Sequence, residues 1–418
     1  MQNFFKNISE TWTKGVDLVL EFLKKYGWIF ILAFGLALTT IGKSTMFFYK
    51  SGDFNSFLYH WMNRYKELGF PAALTNHFVE GGEVKLISDY TPFYYNILII
   101  LAQFVPVEGY VYAIKIVDLL FEISLSTAIF FITYHLYKNL TASSLFAVLG
   151  LIIPAIIING PLWGQCDVIY VSFVVWSFYF LLKEKSWLSI LMFSIAFSIK
   201  LQAIFFLPFL VLMMLKKKVH IYQFLLIPII YFIFMLPNLI AGAGFGYLIS
   251  IYGSQTGSYE SIYLSAPSIY AFIVSNSTTA EVFGYFGIIA CLTVTMCYVF
   301  YFFKKDIAFT PKNLITLATF VCLVTSFLLP RMHERYFILA DIFSIIYLLM
   351  TKKGLLKAIL INFASAMCTL NWVVGANFGQ WYAQIGAALN LVALIIIITK
   401  ELPNLELNIK DENTINAQ

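Results

Sequence analysis

Charged residues are scarce in this sequence, and their scarcity excludes an ordinary soluble fold. Only 12% of the 418 residues are charged and 60% are hydrophobic, whereas soluble domains carry about 25% charged residues. Apolar runs long enough to cross about 30 Å of hydrocarbon recur from Tyr26 to Lys400. The sequence therefore predicts an all-α integral membrane protein without an attached soluble catalytic domain.

Cysteine pairs and nucleotide-binding motifs are also missing. The five cysteines stand singly, without CxxC pairs or histidines at the spacing of metal ligands. The short loops contain no GxGxxG, Walker A or DxD pattern. These absences exclude a soluble nucleotide or nucleotide sugar as the substrate. No cofactor and no metal site are predicted, and a requirement for a divalent metal stays open.

The apolar runs predict about twelve transmembrane helices, and one long outer loop with short helices follows the first of them. The segment Thr91 to Phe104 is too short for a span and is predicted to re-enter from the outer side. The predicted spans are 26–47, 111–136, 142–159, 166–182, 186–199, 203–215, 219–240, 281–303, 313–329, 336–351, 354–373 and 378–399.

Arginine is nearly absent, with 3 residues against 24 lysines, and the lysines set the topology. With the N-terminus inside, almost all loop lysines fall on the cytoplasmic side, as the positive-inside rule requires. The net charge of +5 therefore does not indicate a nucleic-acid partner. The lysine bias is typical of an AT-rich bacterial genome, so we expect a multi-pass bacterial plasma membrane protein with both termini cytoplasmic.

This topology divides the chain into four predicted parts. Residues 1–24 mix aromatic and lysine residues, which is typical of an interfacial amphipathic helix. Residues 25–240 form a core with the first outer loop, residues 241–400 form a C-terminal transmembrane module, and residues 401–418 form a cytoplasmic tail.

Two aspartates stand out in the first outer loop. Asp53 follows Gly52 just after the first span, and His60 comes a few residues later in the sequence. Asp89 and Tyr90 open the re-entrant helix, in a stretch whose tyrosines could stack on a sugar ring. Because aspartate is also a preferred helix N-cap, local sequence leaves a capping role and a catalytic role open for both.

Further polar groups interrupt the later apolar runs. Trp163, Gln165 and Asp167 join two spans on the outer side, and Lys200 with Gln202 breaks the run from 187 to 215. Polar residues at membrane depth are costly and mark a site by default. The alternative for Lys200 is that its ammonium reaches the outer surface by snorkelling. Lys115, Asp118 and Glu122 share one helical face near the outer end of their span, where they either add to the polar clusters of that side or only pair with each other.

The segment Pro330 to Tyr336 is the most specific signal. It holds two of the three arginines, Arg331 and Arg335, together with His333 and Glu334. The guanidinium fork suits a phosphate, so a lipid-phosphate site is predicted at the outer headgroup level. Anchoring to lipid headgroups is the alternative, but it would not require His333 and Glu334 at fixed spacing.

With these motifs in view, the chain resembles the GT-C superfamily of integral membrane glycosyltransferases over most of residues 45–350. It looks most like bacterial proteins related to the second mannosyltransferase of GPI-anchor assembly, whose pattern includes a first-loop acid, a DYPP-like segment, WGQxD, KxQ and MHERY. A more distant similarity is to the dolichyl-phosphate-glucose-dependent glucosyltransferases, which carry GDF followed by HWM. Here Gly52 to Phe54 and His60 to Met62 are spaced two residues wider, and Thr91 replaces the usual proline.

The resemblance implies a GT-C-like fold and transfer of one hexose, with inversion, from a polyprenyl-phosphate-linked sugar to a hydroxyl of an extracytoplasmic glycan, glycolipid or glycopolymer. It favours Asp53 over Asp89 as the catalytic base. The remaining predicted roles are lipid-phosphate binding by Arg331, His333, Arg335 and Lys200, and sugar or acceptor binding by His60, Tyr90, Trp163, Gln165, Asp167, Gln202 and Glu334.

Two other classes of function remain open at this point. A transporter or lipid-linked-sugar flippase has a similar number of spans, but internal repeats and midplane charges are typical of transporters and are not evident here. An outward-facing polysaccharide polymerase or ligase uses similar lipid-phosphate substrates, and only the acceptor distinguishes it. For each of these candidate functions, the expected partners include membrane lipids.

Overall fold

The computed structural model describes residues 2–256, 261–273, 277–375 and 381–408, and most of them are helical. The helices are α1 (Gln2–Ser44), α2 (Tyr59–Leu68), α3 (Phe70–Ala73), α4 (Pro92–Phe104), α5 (Tyr110–Tyr137), α6 (Leu140–Leu151), α7 (Pro154–Ile157), α8 (Asp167–Leu182), α9 (Ser186–Ile199), α10 (Leu207–Leu215), α11 (Leu226–Ile240), α12 (Phe245–Thr256), α13 (Ser277–Lys304), α14 (Pro311–Leu328), α15 (Ile338–Thr351), α16 (Leu355–Val373) and α17 (Trp381–Ile396).

Several helix boundaries follow from residues that stop or cap a helix. Pro92 occupies the first turn of α4 after an extended Thr91, and Pro311 does the same for α14 after Thr310. The apolar run after α9 is interrupted at Lys200, whose backbone is extended (φ −151°, ψ 136°). Shorter turns of 3₁₀ or π helix follow at 201–206 and elsewhere, at 54–58, 107–109, 158–163, 221–225, 269–272, 334–337 and 397–401.

In the part of the chain that the structure describes, four short strands accompany the helices. The strands β1 (His77–Glu80) and β2 (Glu83–Leu86) form an antiparallel hairpin. Its two turn residues, Gly81 and Gly82, have φ of 62° and 85°, a conformation that glycine adopts without steric cost. The strands β3 (Tyr263–Leu264) and β4 (Met332–His333) pair in parallel. This pairing fixes the segment before α15 against the segment 261–273.

The core centres on α8, α14 and α15. The helix α8 packs against α5 and α9, and α14 packs against α15. Most of α14 is buried, whereas almost none of the apolar part of α1 is, so the exposed apolar side chains of α1 suit contact with lipid. One continuous hydrophobic cluster includes residues from both predicted modules, 25–240 and 241–400. These two parts therefore share one core.

Seven helices of the described residues are long and apolar enough to cross a membrane, or eight if a pair bent by 49° forms one span. The chain is therefore described as a multi-pass, largely helical membrane protein. The seven are 12–44, 107–137, 221–240, 278–304, 311–328, 355–373 and 381–401, and the bent pair is 140–151 with 154–163.

The described residues contain fewer than the predicted twelve helices long enough to span, although a helix lies at each predicted position. Residues 378–380 of the last predicted span lie outside the described residues. The difference comes from buried helices such as α8 and α9, which have 16 and 14 residues. At 1.5 Å per residue they extend only about 21–24 Å, less than the hydrocarbon thickness. The helix α4, predicted to re-enter, is shorter still at 13 residues.

Two predicted boundaries differ from the structure. The interfacial helix predicted over residues 1–24 is not a separate element, because α1 continues without a break from Gln2 to Ser44. No proline lies near residue 24 to end the helix. At the other terminus, part of the predicted tail folds back, and Leu407 forms a β-bridge with Ile307. Residues 409–418 of that tail lie outside the described residues.

The helix ends segregate into two groups. At one end, which we call the lysine end, Tyr137 at the end of α5 donates a hydrogen bond to the carbonyl of Leu349 near the end of α15 (2.6 Å). There too, Lys216 after α10 donates to the carbonyl of Lys305 after α13 (2.5 Å). The opposite ends of α5, α8, α9, α14 and α15 form the site end.

Candidate active site

Five chain segments meet at the site end, and each supplies one or two polar side chains. Asp53 starts the turn at 54–58, and Tyr90 precedes α4. Gln165 and Asp167 lie where the turn at 158–163 passes into α8, after Gly164 in the left-handed conformation (φ 80°). The other two segments are the break after α9 at Lys200 and the turn before α15 at Arg335. All of these positions lie at helix ends, where the backbone leaves the regular helix.

Asp167 is the buried centre of this cluster. Its carboxylate forms an ion pair with Lys200. It also accepts a hydrogen bond from Asn159 Nδ2 (3.0 Å) and lies 3.8 Å from Arg335 Nε. The alternative of snorkelling to the outer surface does not describe Lys200, because its ammonium turns to a buried carboxylate. Asp167 has no exposed surface, and its carboxylate lies beside two cationic groups, those of Lys200 and Arg335.

Asp53 differs from Asp167 in being accessible. About 23% of its side chain is exposed. Its Oδ2 accepts a hydrogen bond from Gln165 Nε2 (2.6 Å), and Gln165 Oε1 lies 3.4 Å from the hydroxyl of Tyr90. The chain Tyr90 to Gln165 to Asp53 thus fixes the carboxylate while leaving part of it open to a ligand. Ser51 holds the neighbouring backbone by donating to the carbonyl of Trp163 (2.8 Å).

Arg335 joins the two aspartates. Its Nη1 lies 3.9 Å from Asp53 Oδ2 and 3.3 Å from Glu334 Oε1, and its Nε lies 3.8 Å from Asp167. The guanidinium carbon lies 4.9 Å from the centre of the Trp163 ring, a cation–π distance. The contacts at 3.8–3.9 Å are too long for hydrogen bonds. Among the described residues the buried Nε has no hydrogen-bond partner, so it can donate to a ligand oxygen.

The predicted phosphate clamp is less cationic than the sequence indicates. Arg335 shares its charge with three carboxylates. Burial, followed by the charge of Arg335, lowers the pKa of His333, which disfavours the positively charged form of its ring. Glu334 is fully buried beside it, with its Oε2 3.7 Å from His333 Nδ1. That His333 supplies a positive charge to the phosphate site stays a prediction.

The other predicted residues take separate positions. Arg331 has a left-handed backbone (φ 59°) and lies against Gly284 of α13, where a Cβ added to the glycine would come 3.4 Å from Arg331 Nη2. Asp89 is exposed, and its backbone carbonyl accepts a hydrogen bond from Gln255 Nε2 (2.6 Å). Gln202 is half-buried, and among the described residues its Oε1 has no hydrogen-bond partner. His60 is exposed on α2.

Two aromatic or polar residues of the site escaped the sequence-based prediction. Asn159 donates a hydrogen bond to Asp167. The one sequence feature that could have identified Asn159 is that it is a polar residue inside an apolar run. Tyr336 places its ring 5.5 Å from both Lys200 Nζ and the Arg335 guanidinium carbon. Its position directly after Arg335 was the signal, since aromatic rings commonly cover buried cations.

A second layer of charges lies behind the site on α5. The reading in which Lys115, Asp118 and Glu122 only pair with each other does not hold, because Glu122 pairs with Lys43 of α1. Lys115 donates to the carbonyls of Tyr49 (2.6 Å) and Leu162 (3.1 Å) among others. This layer fastens the chain before Asp53 and the turn before Gln165 to the same helix.

Within the described ranges, no group of three or more histidine, cysteine, aspartate and glutamate side chains has the arrangement of a metal site. In the comparisons with known proteins, no family model and no curated protein matches this chain.

Proposed function

We propose that the chain is an inverting glycosyltransferase that moves one hexose from a polyprenyl-phosphate-linked donor to a hydroxyl of an extracytoplasmic glycan, glycolipid or glycopolymer. The observation that carries this proposal is the pairing of an accessible carboxylate with a buried arginine. Asp53 lies 3.9 Å from Arg335 Nη1, and the Nε of the same guanidinium lacks a hydrogen-bond partner among the described residues. A base and an oxyanion-stabilising cation are the two groups that such a transfer requires.

Asp53 is the proposed general base. It accepts the proton of the acceptor hydroxyl as that oxygen attacks the anomeric carbon of the donor. Gln165 Nε2 donates a hydrogen bond of 2.6 Å to Asp53 Oδ2 and so holds the carboxylate in place. The exposed part of the Asp53 side chain leaves room for the acceptor hydroxyl to reach it. Attack from the face opposite the phosphate inverts the anomeric configuration, because the bond to the phosphate oxygen breaks as the new bond forms.

The leaving group is a polyprenyl phosphate, whose negative charge increases as the bond to the sugar breaks. Arg335 and Lys200 are the cations proposed to stabilise this charge. Arg331, which lies against Gly284 of α13, is a third proposed cation. Lys200 is held by Asp167, and Arg335 is flanked by the rings of Trp163 and Tyr336. Fixed cations of this kind cost little reorganisation when the charge develops.

Tyr90 and Gln202 are the proposed contacts to the transferred sugar. The ring of Tyr90 lies 6.0 Å from Lys200 Nζ and its hydroxyl is near Gln165, so it lies between the proposed base and one proposed cation. An aromatic face can stack on the C–H surface of a pyranose while a hydroxyl or an amide hydrogen-bonds to it. We place this site on the extracytoplasmic face, since the lysine end is then cytoplasmic.

The test uses the purified full-length protein in lipid nanodiscs with radiolabelled polyprenyl-phosphate hexoses and a membrane glycan extract. The expected result is release of polyprenyl phosphate together with transfer of label to an acceptor. Movement of an intact labelled lipid across proteoliposomes, without release of polyprenyl phosphate from any donor, would instead establish a flippase and contradict the proposal.

A further inference from the structure

A groove lies beside the candidate active site, between α2 and the β1–β2 hairpin. Its volume is about 400 Å³, which falls within the range of about 300–1,000 Å³ typical of small-molecule sites. One wall is a polar stripe along α2, and the other is an apolar surface that includes Phe78 and Leu86 of the hairpin. The stripe consists of His60, Asn63, Arg64 and Glu67. We call this feature the hairpin groove.

The stripe is a direct consequence of helical periodicity. Positions 60, 63, 64 and 67 lie on one face of a helix, whereas the neighbouring positions Met62 and Tyr65 are fully buried. The Tyr65 hydroxyl donates a hydrogen bond to Asn76 Oδ1 (2.6 Å) and lies 2.9 Å from Ser88 Oγ, which anchors α2 to the residues on either side of the hairpin. The groove is therefore built on fixed elements.

Charges in the hairpin groove compensate one another. Arg64 Nη1 lies 2.9 Å from Glu67 Oε2, and Nη2 lies 3.8 Å from Glu80 Oε1. Glu80 also pairs with Lys85 (2.8 Å), and this hydrogen bond lowers the pKa of the glutamate, so it is ionised at neutral pH. The guanidinium carbon of Arg64 lies 4.3 Å from the centre of the Phe78 ring. The groove thus offers hydrogen bonds and ring surface without a surplus of either charge.

The inner end of the groove reaches the proposed base through three side chains. Trp61 lines the groove and its ring meets that of Tyr90 edge to face, with centres 5.6 Å apart. Tyr90 contacts Gln165, which in turn donates to Asp53. A chain-like molecule in the groove would therefore extend toward the carboxylate that takes the acceptor proton.

We propose that the hairpin groove binds the acceptor and that this acceptor is a neutral saccharide chain. This inference rests on the proposed function. Hydroxyl-rich rings match a site that alternates hydrogen-bonding groups with Trp61, Phe78 and the stem of Arg64. An anionic polymer would require cations without compensating carboxylates, and a lipid acceptor would require an apolar surface without the four polar residues of α2.

The test measures direct binding to the purified full-length protein in nanodiscs. The probes are neutral tetrasaccharides of glucose, galactose and mannose, with poly(glycerol phosphate) as the anionic polymer and diacylglycerol as the lipid. The expected result is that at least one tetrasaccharide binds and neither other probe does. The double variant His60→Ala and Asn63→Ala should weaken that binding at least tenfold, whereas Glu83→Ala at the hairpin tip should not change it.

Four outcomes would overturn the proposal. These are the absence of binding by every tetrasaccharide, tighter binding of poly(glycerol phosphate), tighter binding of diacylglycerol, and unchanged tetrasaccharide binding in the double variant. A melting temperature equal to that of the wild type shows that the double variant is folded. Release of polyprenyl phosphate is measured on the same preparation, so failure of the groove and failure of the proposed transfer are separate results.

Discussion

Arg335 links the two halves of the proposed chemistry at the level of single residues. It contacts the proposed base, the buried Asp167 and Glu334, and it is covered by two aromatic rings. The guanidinium is buried, and among the described residues its Nε–H has no hydrogen-bond acceptor, so this group is left to bind a ligand oxygen. The arrangement depends on the planar fork of arginine, which a lysine cannot reproduce.

We therefore expect Arg335→Lys to lower kcat/KM of transfer by about 10²–10³-fold, as for the loss of one preorganised donor at a developing oxyanion. The measurement is the initial rate of polyprenyl phosphate release at several donor concentrations. The melting temperature serves as the control for folding. A rate within threefold of the wild type, in a folded variant, would exclude Arg335 from transition-state stabilisation.

The sequence indicated most of these residues but not their partners. Lys200 was recognisable because a lysine interrupts an apolar run, yet its partner Asp167 is 33 residues away on the start of another helix. Asp53 and Gln165, 112 residues apart, are joined in the same way. Pattern and hydropathy identify costly polar residues, whereas pairing depends on helix packing that a single sequence does not display.

Among the elements, α5 connects the site to the helices around it. Lys115, Asp118 and Glu122 recur at helical spacing, and Lys115 donates to the carbonyls of Tyr49 and Leu162. The turn at 158–163 passes so close that a Cβ on Gly160 would come 2.5 Å from Glu122 Oε1. A side chain at this position would therefore displace the Glu122 carboxylate. The buried pair of Glu122 with Lys43 joins α5 to α1.

Removing one partner of the buried Lys43 and Glu122 pair should destabilise the protein. Glu122→Gln leaves a buried ammonium without its carboxylate, so we expect a loss of about 3–5 kcal/mol in the free energy of unfolding. The double variant Lys43→Met and Glu122→Gln should recover most of this loss. Thermal denaturation in detergent measures both.

The exposed pair of Lys312 and Glu406 provides the matched control for that experiment. These side chains are 45% and 47% exposed, so Glu406→Gln should cost less than about 1 kcal/mol. If Glu122→Gln were tolerated as well as Glu406→Gln, the buried pair would not fasten α1 to α5.

The elements differ in how far the sequence predicts them. Helices lie at all twelve predicted positions because long apolar runs are unambiguous. The β1–β2 hairpin was missed, although two glycines between short strands are a recognised hairpin signal. The helix α1 continues through the boundary predicted between residues 24 and 25, because lysines do not end a helix.

The whole molecule is polarised along its helices. Lysines gather where α5, α10, α13 and α15 end, and the proposed catalytic side chains gather at the opposite ends. The sequence predicted this separation from lysine placement alone. Which end faces the cytoplasm remains a prediction that rests on the positive-inside rule.

Cysteine labelling in intact cells tests that orientation. In a Cys297→Ser background, Glu83→Cys on the hairpin should react with a membrane-impermeant maleimide, whereas Lys353→Cys should react only after permeabilisation. The four other native cysteines are buried and should remain silent. The reverse labelling pattern would place the site in the cytoplasm and contradict the proposed donor and acceptor.

The central claim is that Asp53 is the base of a sugar transfer, and the Asp53→Asn variant tests it most directly. The amide keeps the size of the side chain but cannot accept the acceptor proton as a carboxylate does. We expect turnover to fall by at least about 10²-fold while the Kd for the polyprenyl-phosphate sugar stays within threefold. In the parallel variant Asp89→Asn, turnover should remain near that of the wild type. Near-normal turnover in Asp53→Asn would contradict the account.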